Sequence, residues 1–280
     1  MIGSLRDLFR RAWRHSSGRW GALALLAMAL LAAAAPPLLQ DPAAMPDVVA
    51  GATPPSAGHL FGTDQLNRDI LARVVSGGRI SLSVAGLAVL VSLTLGCAVG
   101  LVAGYAGGWV DGMLMRMVDA ALAIPRLFVL LLLLVVWERI PLWALIVVLG
   151  TTGWFATSRL VRGEVLRLRG EPFVVAATGL GAGAWRTIAR HLLPNAAGPV
   201  LVAATLGVGD VILLEAGLSF LGLGIQPPSP SWGGMVLDAR PFLVSAPWTA
   251  LFPGAAIVAT VLAVNLLGDA LQAALDPRSA

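Results

Sequence analysis

Between Ile80 and Gly104 the chain runs twenty-five residues without one charged side chain. A helix of that length is about 37 Å long, and the hydrocarbon core of a bilayer needs about 20 consecutive apolar residues. Five further windows are comparable: Gly21 to Leu39, Met113 to Val136, Leu142 to Ser158, Ala196 to Leu221 and Trp248 to Gly268. The third of the six carries Asp119 and Arg126, and the fourth is short and begins beside Pro141. Only 12% of the 280 residues are charged and 58% are apolar, against about 25% and 45–50% in soluble domains. A water-facing surface cannot be made from so few charges. The sequence therefore predicts an all-α, polytopic membrane protein with six transmembrane helices.

Arginine sets the orientation, because positively charged flanks resist translocation. All 19 basic residues are arginine. With both termini in the cytoplasm, thirteen arginines fall in inside segments and five outside (Arg68, Arg73, Arg79, Arg139 and Arg240), with Arg126 within a span. The predicted organisation is a cytoplasmic tail at 1–20, a first helix at 21–39 and an extracytoplasmic loop at 40–79. A transmembrane core follows at 80–272, holding a long cytoplasmic loop at 159–194, and a second tail at 273–280. The AAAAPP run after the first window also suits a signal-peptide cleavage site. The basic region before it extends to Arg19, long for a signal, so retention of the first helix is the expectation.

The outer loop opens with prolines and glycines. It closes on an apolar stripe, Leu66, Ile70, Leu71, Val74 and Val75, with Arg68, Asp69 and Arg73 opposite. That pattern predicts an amphipathic helix lying on the membrane face or against a partner, capped by Thr63 or Asp64. Gly96, Gly100 and Gly104 fall at four-residue spacing, which lets two helix backbones approach closely. Packing within the chain is the preferred reading of this seam over a dimer contact. Within 159–194, Pro172 suits a first helical position, and a break at Gly179-Leu180-Gly181 separates two amphipathic pieces. The second piece places Trp185, Ile188, Ala189 and Leu192 on one face, with Arg186 and Arg190 on another. A docking surface and a plain interfacial helix both fit it. The last outer segment, 222–243, is rich in proline, glycine and aromatics and predicts irregular chain folding back as a cap, with Trp232 and Trp248 at headgroup level.

Enzymatic equipment is missing from the sequence. With no lysine there is no phosphate-binding GxxxxGK[ST] loop. The single Cys97 excludes a disulfide framework, and His15, His59 and His191 lie far apart, outside the spans, with no clustered metal ligands. No catalytic residue and no metal site are predicted, and nothing points to nucleic acid. Ser219 reads as a helix-packing serine. Ionisable groups inside spans are costly unless partnered or facing a polar path. Asp119 and Arg126, seven apart, lie two turns along one helical face and could pair with each other through neighbours or with groups on an adjacent helix. Asp210 and Glu215 lie about 140° apart around a helix and cannot share one. Asp210 fits a solute path and a buried pair equally; for Glu215 a buried pair with Arg126 is the preferred reading.

The string FVVAATGLGAGAWRTIARHLLPN resembles the signature loop of permeases from binding-protein-dependent ABC importers: Glu-Ala-Ala, three residues, Gly, nine residues, then Ile-x-Leu-Pro. Ala176, Ala177, Gly181, Leu193 and Pro194 match, while Val175 stands in the glutamate position and His191 in the isoleucine position. FGTDQLNRDILARVVSGGRISL, GYAGGWVDGMLMRMVDAALAIP, LLEAGLSFLGLGIQPPSPSWG and NLLGDALQAALDP resemble the second permease of dipeptide, oligopeptide and nickel importers, with Asn67 where that family usually has glycine. The resemblance implies a type I importer fold in a bacterial inner membrane and a heterodimer with a second homologous permease. It also implies an extracytoplasmic solute-binding protein, and two ATP-binding subunits that carry ATP and Mg, so that this chain binds no cofactor. The loop around Val175, Ala176, Ala177, Gly179 and Gly181, continuing through Arg186, Arg190 and His191, would be the coupling helix, with Pro194 starting the next span. An energy-independent channel or secondary transporter is the rival reading.

Overall fold

A computed structural model describes residues 5–34, 51–137 and 139–275. The predicted end of the first helix (35–39), the opening of the outer loop (40–50) and the final residues (276–280) lie outside them. The described residues are mostly helical, and the longest described stretch outside helix is 51–69. A short helix, α1 (Leu5–Ala12), precedes α2 (Ser16–Ala34) and then α3 (Ile70–Ala106). Next come α4 (Gly108–Leu122), α5 (Arg126–Leu134), α6 (Leu142–Thr151) and α7 (Trp154–Arg169). The remainder is α8 (Pro172–Gly179), α9 (Ala184–Thr187), a π turn (Ile188–Leu192), α10 (Leu193–Phe220), α11 (Trp232–Ala239) and α12 (Trp248–Leu275). Four continuous helices are long and apolar enough to cross a membrane, and two bent pairs bring the number to six. The chain is an all-α polytopic membrane protein.

α3 is the central element. It packs on α7, α10 and α6, while α12 packs on α2 and α10. Val84, Ala85, Ala88 and Val89 of α3 meet Leu130 and Leu134 of α5, Leu145 and Leu149 of α6, and Ile212 and Leu218 of α10 in the main buried cluster. The glycine seam lies within the chain. A Cβ on Gly96 would stand 2.6 Å from Thr157 Cβ, on Gly100 2.6 Å from the Ser158 carbonyl, and on Gly104 2.8 Å from Val165 Cβ. Such close backbone approach compensates for the weak drive between apolar helices in lipid.

Several expectations need correction. The stripe from Leu66 to Val75 is no separate surface helix. α3 starts at Ile70 and runs unbroken to Ala106, and its cap is Asp69, which accepts from Ala72 N–H, rather than Thr63 or Asp64. Asp64 is occupied elsewhere: it accepts from the backbone N–H of Leu66 and Arg68 and from Arg68 Nε at 2.7 Å. Arg68 and Arg73 do not face water; both are buried, and Arg73 reaches Asp238 on α11. Asn67 at φ +56° occupies the left-handed region, where asparagine is tolerated and glycine free.

The third span is not one helix. α4 and α5 meet at 79° across Pro125, so Asp119 and Arg126 share no face. Of the two pairings expected, the one with an adjacent helix is found for Asp119, whose partner is Arg159 of α7. Trp232 is not a headgroup anchor. Trp232 is 4% exposed, packs on Gly78 and donates Nε1–H to the Val74 carbonyl, and Trp248 Nε1–H donates to the Thr63 carbonyl.

Candidate functional site

Both bent spans break at the same place. Pro125 has no N–H to continue α4 and restricts the residue before it, and Arg126 begins α5 immediately after. α6 and α7 are bent by 40° at Thr152–Gly153. At each break carbonyls lose their helical donors, and at membrane depth such groups must find partners within the protein or in a cavity. Arg126 supplies them: Nη2 donates to the Leu149 carbonyl at 2.6 Å and Nε to Thr152 Oγ1 at 3.3 Å. Gly153 leaves room for it, since a Cβ there would lie 2.9 Å from Nη2.

Beside this junction lies a cavity of about 250 Å³. Val89, Ser92 and Leu93 of α3 form one wall, and Gly153, Ala156, Thr157 and Leu160 a second. The third comes from Ala203, Leu206, Gly207, Asp210 and Val211 of α10, with Arg126 at the break. Asp210 is exposed to this space and makes no hydrogen bond or ion pair with a described residue. Arg126 and Asp210 line the same cavity and act on one another through space without meeting as an ion pair. A carboxylate so placed in a span has to face water, solute or another subunit.

Glu215, five residues on, points the other way, as the 140° separation requires, but its partner is not Arg126. It is 1% exposed, accepts from Ser219 Oγ at 2.8 Å and from Ser81 Oγ at 3.3 Å, and has Ser231 beside it. Ser231 caps α11 through Gly234 N–H, and Ser81 Oγ accepts from Trp232 N–H. Three serines from three elements thus satisfy one carboxyl, and the knot ties the folded-back outer segment 222–243 to α3 and α10. Ser219 therefore does more than pack.

On the arginine-rich side, the loop between α7 and the next span is shorter than 159–194, because α7 continues helically to Arg169. α8 runs Pro172–Gly179, and Gly181 at φ +83° adopts a conformation that L side chains rarely take. Pro194 does not start the next span. Helix resumes at Ala184 and continues through the π turn, and α9, the turn and α10 form one candidate span, Ala184–Phe220. A proline at 194 offers no N–H to the carbonyl one turn back, and the ladder there widens to i→i+5 spacing; Leu193 N–H bonds the Ile188 carbonyl. The predicted apolar face also divides. Leu192 is buried with Val161, Val165 and Val174, whereas Trp185 is 80% exposed and Ala189 is exposed. Val175 (55%) and Leu180 (90%) are exposed as well. Ala176, Gly179, Arg186, Arg190, Leu193 and Pro194 are exposed, and Ala177 and His191 half-buried, so this end presents a mixed apolar and basic surface.

Sequence reading found Arg126, Asp210 and Glu215 but not their surroundings. Ser92 and Thr157 at the cavity, Thr152 at the break, and Ser81 and Ser231 at the knot carry no signal in a hydropathy window. Pro125 was the one visible marker of the break. Among the described residues no group of histidine, cysteine and carboxylate side chains is arranged to hold a metal ion.

Residues 96–280 match the family described as the inner membrane component of binding-protein-dependent transport systems. The dipeptide transport system permease protein DppC of Alkalihalophilus pseudofirmus is 40% identical over 277 residues, 99% of this chain and 91% of that one. The oligopeptide transport system permease protein OppC of Bacillus subtilis is 42% identical over 225 residues, covering 80% and 73%. A Brucella suis protein provisionally named a peptide permease is 45% identical over 236 residues, covering 83% and 78%. A family match across about two thirds of the chain, relatives aligned over most of their length, and a helical fold with four to six candidate spans agree: this chain belongs to the inner membrane component family of binding-protein-dependent transport systems.

Proposed function

We propose that this chain is the second permease of a peptide importer, and that solute crosses the membrane through the cavity beside Arg126 and Asp210. The observation that carries the reading is the meeting of two broken spans beside a cavity whose carboxylate, Asp210, makes no hydrogen bond or ion pair with a described residue. Helix breaks and an unpaired charge are each costly in hydrocarbon and are tolerated together where a hydrated path runs. The cavity is small for a complete binding site, and a second, homologous permease closes it as a heterodimer. The relatives' peptide permease names support peptides as the solute class.

Energy comes from outside this chain, which has no nucleotide site and binds no cofactor; ATP and Mg sit on two partner subunits. Those subunits seat on the arginine-rich end, where α8, Gly181 and the start of α9 expose Val175, Leu180 and Trp185. Both termini lie on that side, in the cytoplasm, and the folded outer loops receive the solute-binding protein.

The test is uptake by the complete complex reconstituted in vesicles. Gly207→Trp, which fills the cavity, should abolish dipeptide uptake while ATP hydrolysis persists. Ala177→Arg should leave the complex inserted yet uncouple hydrolysis from uptake. Full uptake by Gly207→Trp, or uptake without ATP, rejects the reading.

A further inference from the structure

We infer that Arg126 and Asp210 form a bipolar subsite that holds the carboxylate and the ammonium group of a zwitterionic solute, and so select for solutes with both charges. The inference rests on the reading of this cavity as the solute path, and goes further by saying what the path recognises.

Two opposite charges in one membrane-embedded cavity normally close into an ion pair, because each is costly alone. Here they do not meet. Arg126 is held back by its bonds to the Leu149 carbonyl and Thr152 Oγ1, and Asp210 is carried on a different helix. Those bonds use Nη2 and Nε. Nη1 makes no hydrogen bond to a described residue, so its two N–H donors and the second one on Nη2 remain for an acceptor in the cavity. Asp210 offers only acceptors and has none of them filled. The guanidinium is thus fixed before solute arrives, and the carboxylate stands on a long helix, which keeps the cost of ordering the site low.

The charges narrow the class of ligand. A simple cation would satisfy Asp210 and be repelled by Arg126; a simple anion would do the reverse. A neutral solute would leave both charges desolvated and unpaired. A molecule with an ammonium at one end and a carboxylate at the other completes two charge-assisted contacts. The volume, about 250 Å³, holds on the order of eight waters, a scale that suits a dipeptide backbone. Much of the remaining lining is small or apolar (Ala156, Ala203, Gly207, Leu206), with hydroxyls only at Ser92 and Thr157. Such a wall reads the ends of a molecule and makes few demands on side chains between them.

The experiment uses the purified complete complex of this chain with its permease and ATPase partners, without the binding protein, so that selection by the latter does not enter. Thermal stabilisation is titrated with alanyl-alanine, N-acetyl-alanyl-alanine and alanyl-alaninamide. Wild type should bind the free dipeptide at least about tenfold more tightly than either blocked form, the scale of one lost charge-assisted hydrogen bond. Asp210→Asn should lose that advantage over the N-acetyl form alone and keep the advantage over the amide, and Asp210→Glu should restore it. Equal binding of all three probes by wild type, no stabilisation by alanyl-alanine, or an equal loss for all three in Asp210→Asn overturns the inference. Gly207→Trp separates the two layers: if it blocks uptake while the probes bind alike, the path stands and the bipolar subsite falls. If it transports normally, the path itself is wrong.

Discussion

Gly100→Ala tests the packing on which the rest of the helical arrangement depends. The added Cβ would stand 2.6 Å from the Ser158 carbonyl and 2.7 Å from Val161 Cβ. Comfortable carbon contacts begin near 3.5 Å, so α7 must retreat by about 0.9 Å. Neither contacting atom is the end of a flexible side chain, and rotamer changes cannot absorb the clash. Overpacking of this kind costs about 1–3 kcal/mol. The retreat would also loosen the neighbouring contacts at Gly96 and Gly104, which favours the upper part of that range, while alanine's better helix propensity returns up to about 1 kcal/mol. A net loss of about 2 kcal/mol lowers Tm by about 4–8 °C in a chain of this size. The control is internal: Gly86 lies on the same helix with nothing within 4 Å of its Cβ position, and Gly86→Ala should leave Tm unchanged or raise it. Thermal unfolding of the two purified variants in one detergent reads the difference. Equal melting temperatures would refute the steric argument for the seam.

Three further outcomes follow from groups already described. Glu215→Gln keeps an oxygen for the serines and should change Tm little, whereas Glu215→Leu strands three hydroxyls, should cost about 1–3 kcal/mol, and should speed hydrogen exchange in 225–239; equal exchange in both rejects the knot. Burial outweighs the nearby Arg73 and Arg68 and holds the Asp238 carboxyl above its ordinary value of 3.8. Folding therefore favours its protonated form, and its contribution is full below that value and lost as pH rises through the raised one. The Tm of wild type minus that of Asp238→Asn should fall across that window; a flat difference contradicts it. Gly181→Ala forces a Cβ into a left-handed conformation at about 1–2 kcal/mol and should raise proteolysis at 180–183, with no change if that backbone is unstrained.

The number of spans was legible because hydropathy counts apolar length, and apolar length is what a bilayer demands. Continuity was not. The Met113–Val136 window passes through Pro125 without a drop in hydropathy, so a 79° break looked like one helix and Asp119 seemed to share a face with Arg126. The reverse error occurred at 66–79, where the apolar stripe read as a helix separate from the span that begins at Ile80. The helix continues there because Trp232 from another part of the chain packs on Gly78. Asp69 rather than Asp64 caps α3 because Asp64 is already engaged by Arg68. At the candidate site the charges were visible and their partners were not. Ser81, Ser219 and Ser231 converge on Glu215 only through tertiary packing, and an ordinary serine in an apolar run carries no mark of its future neighbour.

The segment Ala184–Phe220 is 37 residues of near-continuous helix, a rod about 55 Å long. Its foot carries the exposed Trp185, its middle Asp210 and its head Glu215. Pro199 lies within it and removes one ladder hydrogen bond, but helix continues on both sides from the π turn to Phe220, so displacement at the foot is carried toward the head. Asp210 stands 22 residues beyond Ile188, about 33 Å of axis, so a tilt of about 10° at the turn sweeps the carboxylate through about 6 Å. A swing of that size exceeds the reach of a hydrogen bond, so a tilt at the base would break any contact the carboxylate made and, through Glu215, would drag on the outer cap.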